Sequence, residues 1–295
     1  MTVHSIGAVV LNYNDYNSTI LCVESLRACV PGPERIVIVD NDSPNESLRI
    51  LTNRFGNTPG VAIINSGKNG GYSFGNNVGI RELRKNNIRH VVIATPDTEV
   101  VSRNLFNRLS DCVSDRIGAM GPQIIGPNGL QNPSVRKLSL KYLLDMAWLQ
   151  WGMPGLRLRR ALVQLKRRVA GLLPRQKSAQ VASTHSMPVP TESRVFKLHG
   201  AFLCLTDSFF RKVGELDERI FMFGEEDLIA WQCLENELEE LLIEDVFVKH
   251  ADDSSINQTW GSNAQRFIDE QQKCSCLILK AVIRKARLWQ EWQRQ

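Results

Sequence analysis

Four short runs in the first hundred residues are apolar on successive positions rather than on alternate ones: Gly7-Ala-Val-Val-Leu-Asn-Tyr-Asn14, Arg35-Ile-Val-Ile-Val-Asp40, Val61-Ala-Ile-Ile-Asn65 and His90-Val-Val-Ile-Ala94. A strand that is apolar on both faces must be covered on both faces, and the helix-like segments between the runs supply the crossovers of a parallel sheet. Residues 7 to 125 therefore read as α/β. In open α/β sheets ligands bind beyond the carboxyl ends of the strands. Here those exits are polar: Asn12 to Asp15, Asp40 to Ser43, Asn65 to Asn69 and Thr95 to Glu99. Four polar exits converging on one edge describe a site for a polar ligand.

Composition narrows the class. The 43% hydrophobic and 23% charged content of the 295 residues is ordinary for a globular protein with a full core. No stretch approaches the roughly 18 apolar residues of a spanning helix, and the N-terminus lacks a basic region followed by a long apolar segment. A cytoplasmic protein with reduced thiols is the expectation, its seven Cys being scattered without zinc spacing. The net charge of +5 is too small to argue for nucleic acid.

Three segments and one histidine carry chemical promise. Asn65 to Gly79 is rich in Gly and Asn between a strand and a helix. Such a loop lets backbone approach a phosphate at a helix N-terminus, although it fits neither the Walker A nor the GxGxxG pattern and also reads as a plain strand-to-helix turn. Thr95-Pro96-Asp97 places a carboxylate at a strand exit, where it could hold a hard cation against a diphosphate or simply shape a turn. His250, at the end of a later strand, could complete a cation's coordination or satisfy a structural role.

The third segment is Glu225-Glu226-Asp227, which follows Phe221, Phe223 and Gly224. Adjacent carboxylates repel, so a chain that keeps them solvates them or sets a cation or a proton-transfer task beside them. They also suit the first turn of the helix expected from Leu228 onward.

Taken in order, these segments resemble the inverting nucleotide-sugar glycosyltransferases of family 2, and within them the rhamnosyltransferase-like branch with the GT-A fold. The resemblance rests on Val9 to Asn14, Ile36 to Ser43, Asn69-Gly-Gly-Tyr-Ser-Phe-Gly-Asn-Asn-Val-Gly79, Pro96-Asp97, Gly200-Ala-Phe-Leu, Val213-Gly-Glu-Leu-Asp-Glu218, Gly224-Glu-Glu-Asp227 and His250. It covers about residues 5–125 and 195–256. It implies a Rossmann-like nucleotide-binding half with a mixed central sheet. It implies that Asn12, Asn14 and Asp40 hold the nucleotide base and ribose, and that the loop with Asn69, Gly70 and Asn77 closes over the donor. Asp97 then holds Mg²⁺ or Mn²⁺ against the diphosphate, with His250 as second ligand. Asp227 becomes the general base, Glu226 its support and Glu225 a helix-start charge. The branch usually reads Asn-Pro-Asp at residues 95–97; Thr95 retains a hydroxyl for a donor contact. Asp42 replaces a common small residue near the base site, and Leu228-Ile229-Ala230 stands where a second Asp is frequent.

The implied reaction is inverting transfer of a sugar, rhamnose from dTDP-rhamnose foremost, to a glycan or a polyprenyl-diphosphate-linked glycan in cell-surface polysaccharide synthesis. Alternatives are a sugar-phosphate nucleotidyltransferase and a non-catalytic, membrane-associated scaffold. Asn12-Tyr-Asn-Asp15 stands where the former carries a Gly-rich basic signature, and the presence of Asp227 weighs against the latter.

Residues 126 to about 192 break the α/β pattern with six Pro and a cluster of basic residues. Leu158, Leu162, Leu165, Val169 and Leu172 recur at helical spacing, so this helical insertion either lies on the anionic inner face of the plasma membrane or packs on its own protein. The expected division is a glycosyltransferase domain over 1–260, insertion included, and a C-terminal helical extension over 261–295. Strands are expected near 194–205 and 241–249.

Overall fold

The computed structural model describes residues 5–131, 192–251 and 261–285; most of the proline-rich insertion, with its basic helix, lies outside the described residues. The four apolar runs form β1 (Ile6–Asn12), β2 (Ile36–Asp40), β3 (Val61–Asn65) and β4 (His90–Ala94), all parallel, in the order β3-β2-β1-β4. Helices α1 (Tyr16–Arg27), α2 (Ser47–Phe55) and α3 (Gly71–Lys85) are the crossovers.

Double-sided burial explains the successive apolar residues. From β1, Ala8 and Val10 join one core with Cys22, Val23 and Leu26 of α1 and Leu51 and Phe55 of α2. Val9 points to a second core with Ile80 and Leu83 of α3. Residues of the central strands are thus enclosed whichever way they face, while the edge strand β3 is half-buried.

Beyond β4 the sheet turns mixed. It continues through β5 (Thr98–Val100), α4 (Leu105–Asp111), β6 (Ile117–Gly126), β7 (Gly129–Leu130), β8 (Glu192–Val195), β9 (Phe202–Leu205), α5 (Asp207–Lys212), α6 (Glu225–Glu235) and β10 (Glu239–His250). Strand β9 inserts antiparallel between β4 and β6, β10 runs parallel to β6, and β5 and β8 each pair antiparallel with part of β10. The strand expected over 194–205 is therefore two strands in different parts of the sheet. Phe196 to Ala201 cross between them.

A 3₁₀ turn (Gly261–Asn263) leads into helix α7 (Ala264–Lys285). Its Leu279 packs with Ile220, Leu228 and Trp231, and its Ser275 hydroxyl donates to the Met222 carbonyl at 3.0 Å. The loop entering α6 is held from outside by this helix.

Gly71 marks a tight approach. Its φ is +86°, and a Cβ there would lie 2.8 Å from Phe221 Cα and closer still to the Phe221 carbonyl oxygen, which accepts from Tyr72 N at 2.8 Å. Gly71→Ala is expected to destabilise the protein by about 2–4 kcal/mol, from the left-handed backbone and the clash together. Chemical denaturation checks this, and an unchanged midpoint would contradict the packing described.

Candidate functional site

Register places the polar exits side by side. Asn12 is abreast of Asp40, and Asp40 of Asn65, across three strand ends. Asn12 is fully buried and donates to Asp40 Oδ2 at 2.6 Å, while its own carbonyl accepts from the Thr19 hydroxyl at 2.8 Å. Asp40 also accepts from the Ser43 backbone N–H and hydroxyl, each at 2.8 Å. Asn14, at φ +61°, donates its N–H to Ser43 Oγ at 2.9 Å. The three predicted base-and-ribose residues therefore form one network.

Asn41, absent from the sequence expectation, ties this network to the Asn/Gly loop. Its side chain donates to Asn69 Oδ1 at 2.9 Å and to the Gly71 carbonyl at 3.2 Å, and accepts from the Ser66 hydroxyl. Gly70 precedes the first turn of α3. Asn77 is instead enclosed: its amide donates to the Leu216 carbonyl and Glu218 Oε1, both at 2.9 Å, and accepts from Leu216 N. It grips the segment that precedes α6 from within the fold.

A second cluster forms where β4 and β10 end. The pairing of β5 with β10 sets His250 opposite Thr98, and Ala251 N donates to the Asp97 carbonyl at 2.9 Å. His250 Nε2 thereby sits 3.2 Å from Asp97 Oδ2, and the Thr95 hydroxyl donates to Asp97 Oδ1 at 2.6 Å. Burial works to raise the Asp97 carboxyl, but His250 and Thr95 outweigh it and hold the group below the usual range. The His199 ring lies edge-on to His250 with centroids 5.3 Å apart.

The third cluster surrounds the acidic triplet. Gly224, at φ +111°, stands as N-cap of α6, whose first residues are Glu225, Glu226 and Asp227. Lys197, buried, reaches Asp227 Oδ1 at 2.9 Å and Glu226 Oε1 at 3.7 Å. Glu225 stands at the helix start, as expected, but it is buried, and burial first, then Glu226 and Asp227, push its carboxyl well up. Glu240 of β10, also buried, accepts from Leu198 N at 2.7 Å and is pushed up to about 8 by burial. Among these only the triplet was visible in the sequence. The demand of three carboxylates for a cation was the one signal of Lys197.

The crossing segment connects all of this. Lys197 meets the acids, and His199 meets His250. The Gly200 carbonyl accepts from the Tyr72 hydroxyl at 2.8 Å, and Thr95 N donates to the Ala201 carbonyl at 2.8 Å. Tyr72 begins α3 just after the Asn/Gly loop, so five consecutive residues touch both carboxylate clusters and the loop helix.

The donor set beside Asp97 suits a divalent cation that takes few protein ligands. A carboxylate and an imidazole lie within hydrogen-bond distance, and no group of three or more His, Cys, Asp or Glu arranged for a metal occurs among the described residues. A cation held there needs substrate phosphate oxygens and water to complete its shell, which is the usual situation of Mg²⁺ at phosphate sites.

Residues 8–108 match the family model described as glycosyl transferase family 2. A low-salt glycan biosynthesis hexosyltransferase, Agl10 of Haloferax volcanii, is 24% identical over 225 residues, covering 75% of this chain. The chain spans 59% of that relative's length. Among solved structures, GalNAc-T7 with UDP, GalNAc and Mn²⁺ superimposes with a TM-score of 0.60 at 14% identity, covering 86% of this chain and 45% of that one. The mannosyltransferase PcManGT of Pyrobaculum calidifontis, with GDP-Man and Mn²⁺, gives 0.54 at 12% identity, covering 98% and 72%. With the family 2 match over its parallel strands and these structures on its mixed sheet, the chain has the GT-A glycosyltransferase fold.

Proposed function

We propose that this protein is a metal-dependent, inverting glycosyltransferase that moves a sugar from a nucleoside-diphosphate donor to a glycan acceptor. The observation that carries the reading is the pairing of two carboxylate centres, Asp97 with His250 and Asp227 with Glu226, through Lys197 to Ala201 beside the strand-exit network. One centre is built to hold a cation, the other to take a proton.

On this reading Asn12, Asn14 and Asp40 shape the pocket for base and ribose, and Asn69 and Gly70 lie along the donor. Asn77 and Thr95 act by positioning, since the first grips the segment before α6 and the second orients Asp97. Mg²⁺ or Mn²⁺ bound by Asp97 and His250 supplies positive charge for the diphosphate, as fits neighbours solved with Mn²⁺ and nucleotides. Asp227 accepts the proton of the acceptor hydroxyl as its oxygen attacks the anomeric carbon opposite the diphosphate. A single displacement inverts that carbon.

The leading donor is dTDP-rhamnose, and the leading acceptor a glycan carried on a polyprenyl diphosphate. No helix among the described residues is long and apolar enough to cross a membrane. The test is incubation with a panel of nucleotide sugars, Mn²⁺ and candidate acceptors, with proton NMR of the product. The expected result is nucleoside diphosphate release and a product of opposite anomeric configuration. Retention would overturn the single displacement, and no release with any donor would overturn the transferase reading.

A further inference from the structure

We propose that Lys197 is the positioning residue that keeps Asp227 ionised and aimed, and that it pairs with Glu226 alone once Asp227 has taken the acceptor's proton. This rests on Asp227 being the base.

The geometry is specific. Lys197 is nine-tenths enclosed, so its ammonium group has few water partners. It reaches Asp227 at 2.9 Å and already stands 3.7 Å from Glu226. Burial alone would drive a lysine toward its neutral form, but Asp227 and then Glu226 outweigh burial and raise its proton affinity. The titratable groups facing the cluster are Glu225 on α6, Glu240 on β10 and Tyr72 on α3.

The charge balance then follows. Burial pushes the Glu240 and Glu225 carboxyls up to about 8, and the Tyr72 phenol is pushed well above its ordinary value by burial and then by Glu225 and Glu226. The three side chains in contact, Glu226, Asp227 and Lys197, carry one net negative charge when all three are ionised. In the transfer step the acceptor oxygen bonds to the anomeric carbon, and the bond from that carbon to the diphosphate oxygen breaks. The electron pair leaves with the nucleoside diphosphate, and the acceptor proton moves to the Asp227 carboxylate. The cluster ends neutral, with Lys197 and Glu226 as its remaining ion pair. Without Lys197, two neighbouring carboxylates would share a proton, and a protonated Asp227 cannot accept another.

The test is the pH profile of kcat/KM for acceptor in the wild type, Lys197→Met, Lys197→Arg and Glu226→Gln, with donor affinity measured alongside. Lys197→Met is expected to move the acidic limb up by about one to three pH units, because an adjacent opposite charge lowers a carboxyl by that much. Lys197→Arg should return the limb toward its wild-type position. Glu226→Gln should move it down by removing a like charge, and this half-exposed side chain keeps the test available should Lys197→Met fail to fold. Donor affinity should stay within about twofold, since the cluster meets the acceptor. An acidic limb unmoved in Glu226→Gln and, where it folds, in Lys197→Met would overturn the role of Lys197. That failure differs from failure of the base itself, which would appear as full turnover in Asp227→Asn.

Discussion

Asp227→Asn is expected to lower sugar transfer by about 10²–10⁴-fold, the range that a positioned general base contributes. Asparagine keeps the volume and can still touch Lys197, but it cannot take a proton. The helix start should survive, because Gly224 and the packing of Leu228 and Trp231 against α7 are untouched. Donor binding should also survive within about twofold, because the assigned base meets the acceptor and not the nucleotide. Initial rates of nucleoside diphosphate release, with donor titrated by calorimetry, measure both quantities. Full turnover in this variant would remove Asp227 from the mechanism.

Asp97→Ala is the second large effect, and it falls on the other half of the reaction. The variant loses the carboxylate that faces His250 at 3.2 Å, and His250 alone is a poor anchor for a cation that prefers oxygen. Donor affinity in Mn²⁺ should fall by about 100-fold or more, since altering even a supporting group beside a metal costs 10–100-fold. Donor binding without metal should change little. Titrations with and without Mn²⁺ check this. An undiminished dependence on metal would show that the cation is held elsewhere.

The parallel half of the fold was legible because double-sided burial writes itself into sequence. A residue such as Val9 or Val10 must be apolar whichever core it enters, so β1 to β4 appear as unbroken runs. The mixed half hides its topology. Glu192 to Leu205 carries one β-like pattern, yet the chain leaves one part of the sheet at Val195 and rejoins another at Phe202. Lys197 within that stretch looks like the wet face of a strand, whereas it is the buried partner of Asp227.

Site residues divide in the same way. Asn12, Asp40 and Asn65 close strands whose alignment is set by parallel register, so reading the exits was enough to bring them together. The approach of His250 to Asp97 depends on an antiparallel pairing between distant segments, which local pattern does not encode. Glu225 hides its burial for a related reason. Its place in the helix was plain, but its burial depends on neighbours supplied from other elements, Tyr72 of α3 among them.

The central claim is a division of labour, with Asp97 holding the donor and Asp227 serving the acceptor. The most direct measurement is calorimetric titration of one nucleotide sugar, in Mn²⁺, into Asp97→Ala and Asp227→Asn, with turnover recorded on the same preparations. The account predicts that Asp97→Ala loses donor binding, while Asp227→Asn binds donor normally and does not turn over. Normal donor binding by Asp97→Ala, or either lost donor binding or full turnover in Asp227→Asn, would contradict it.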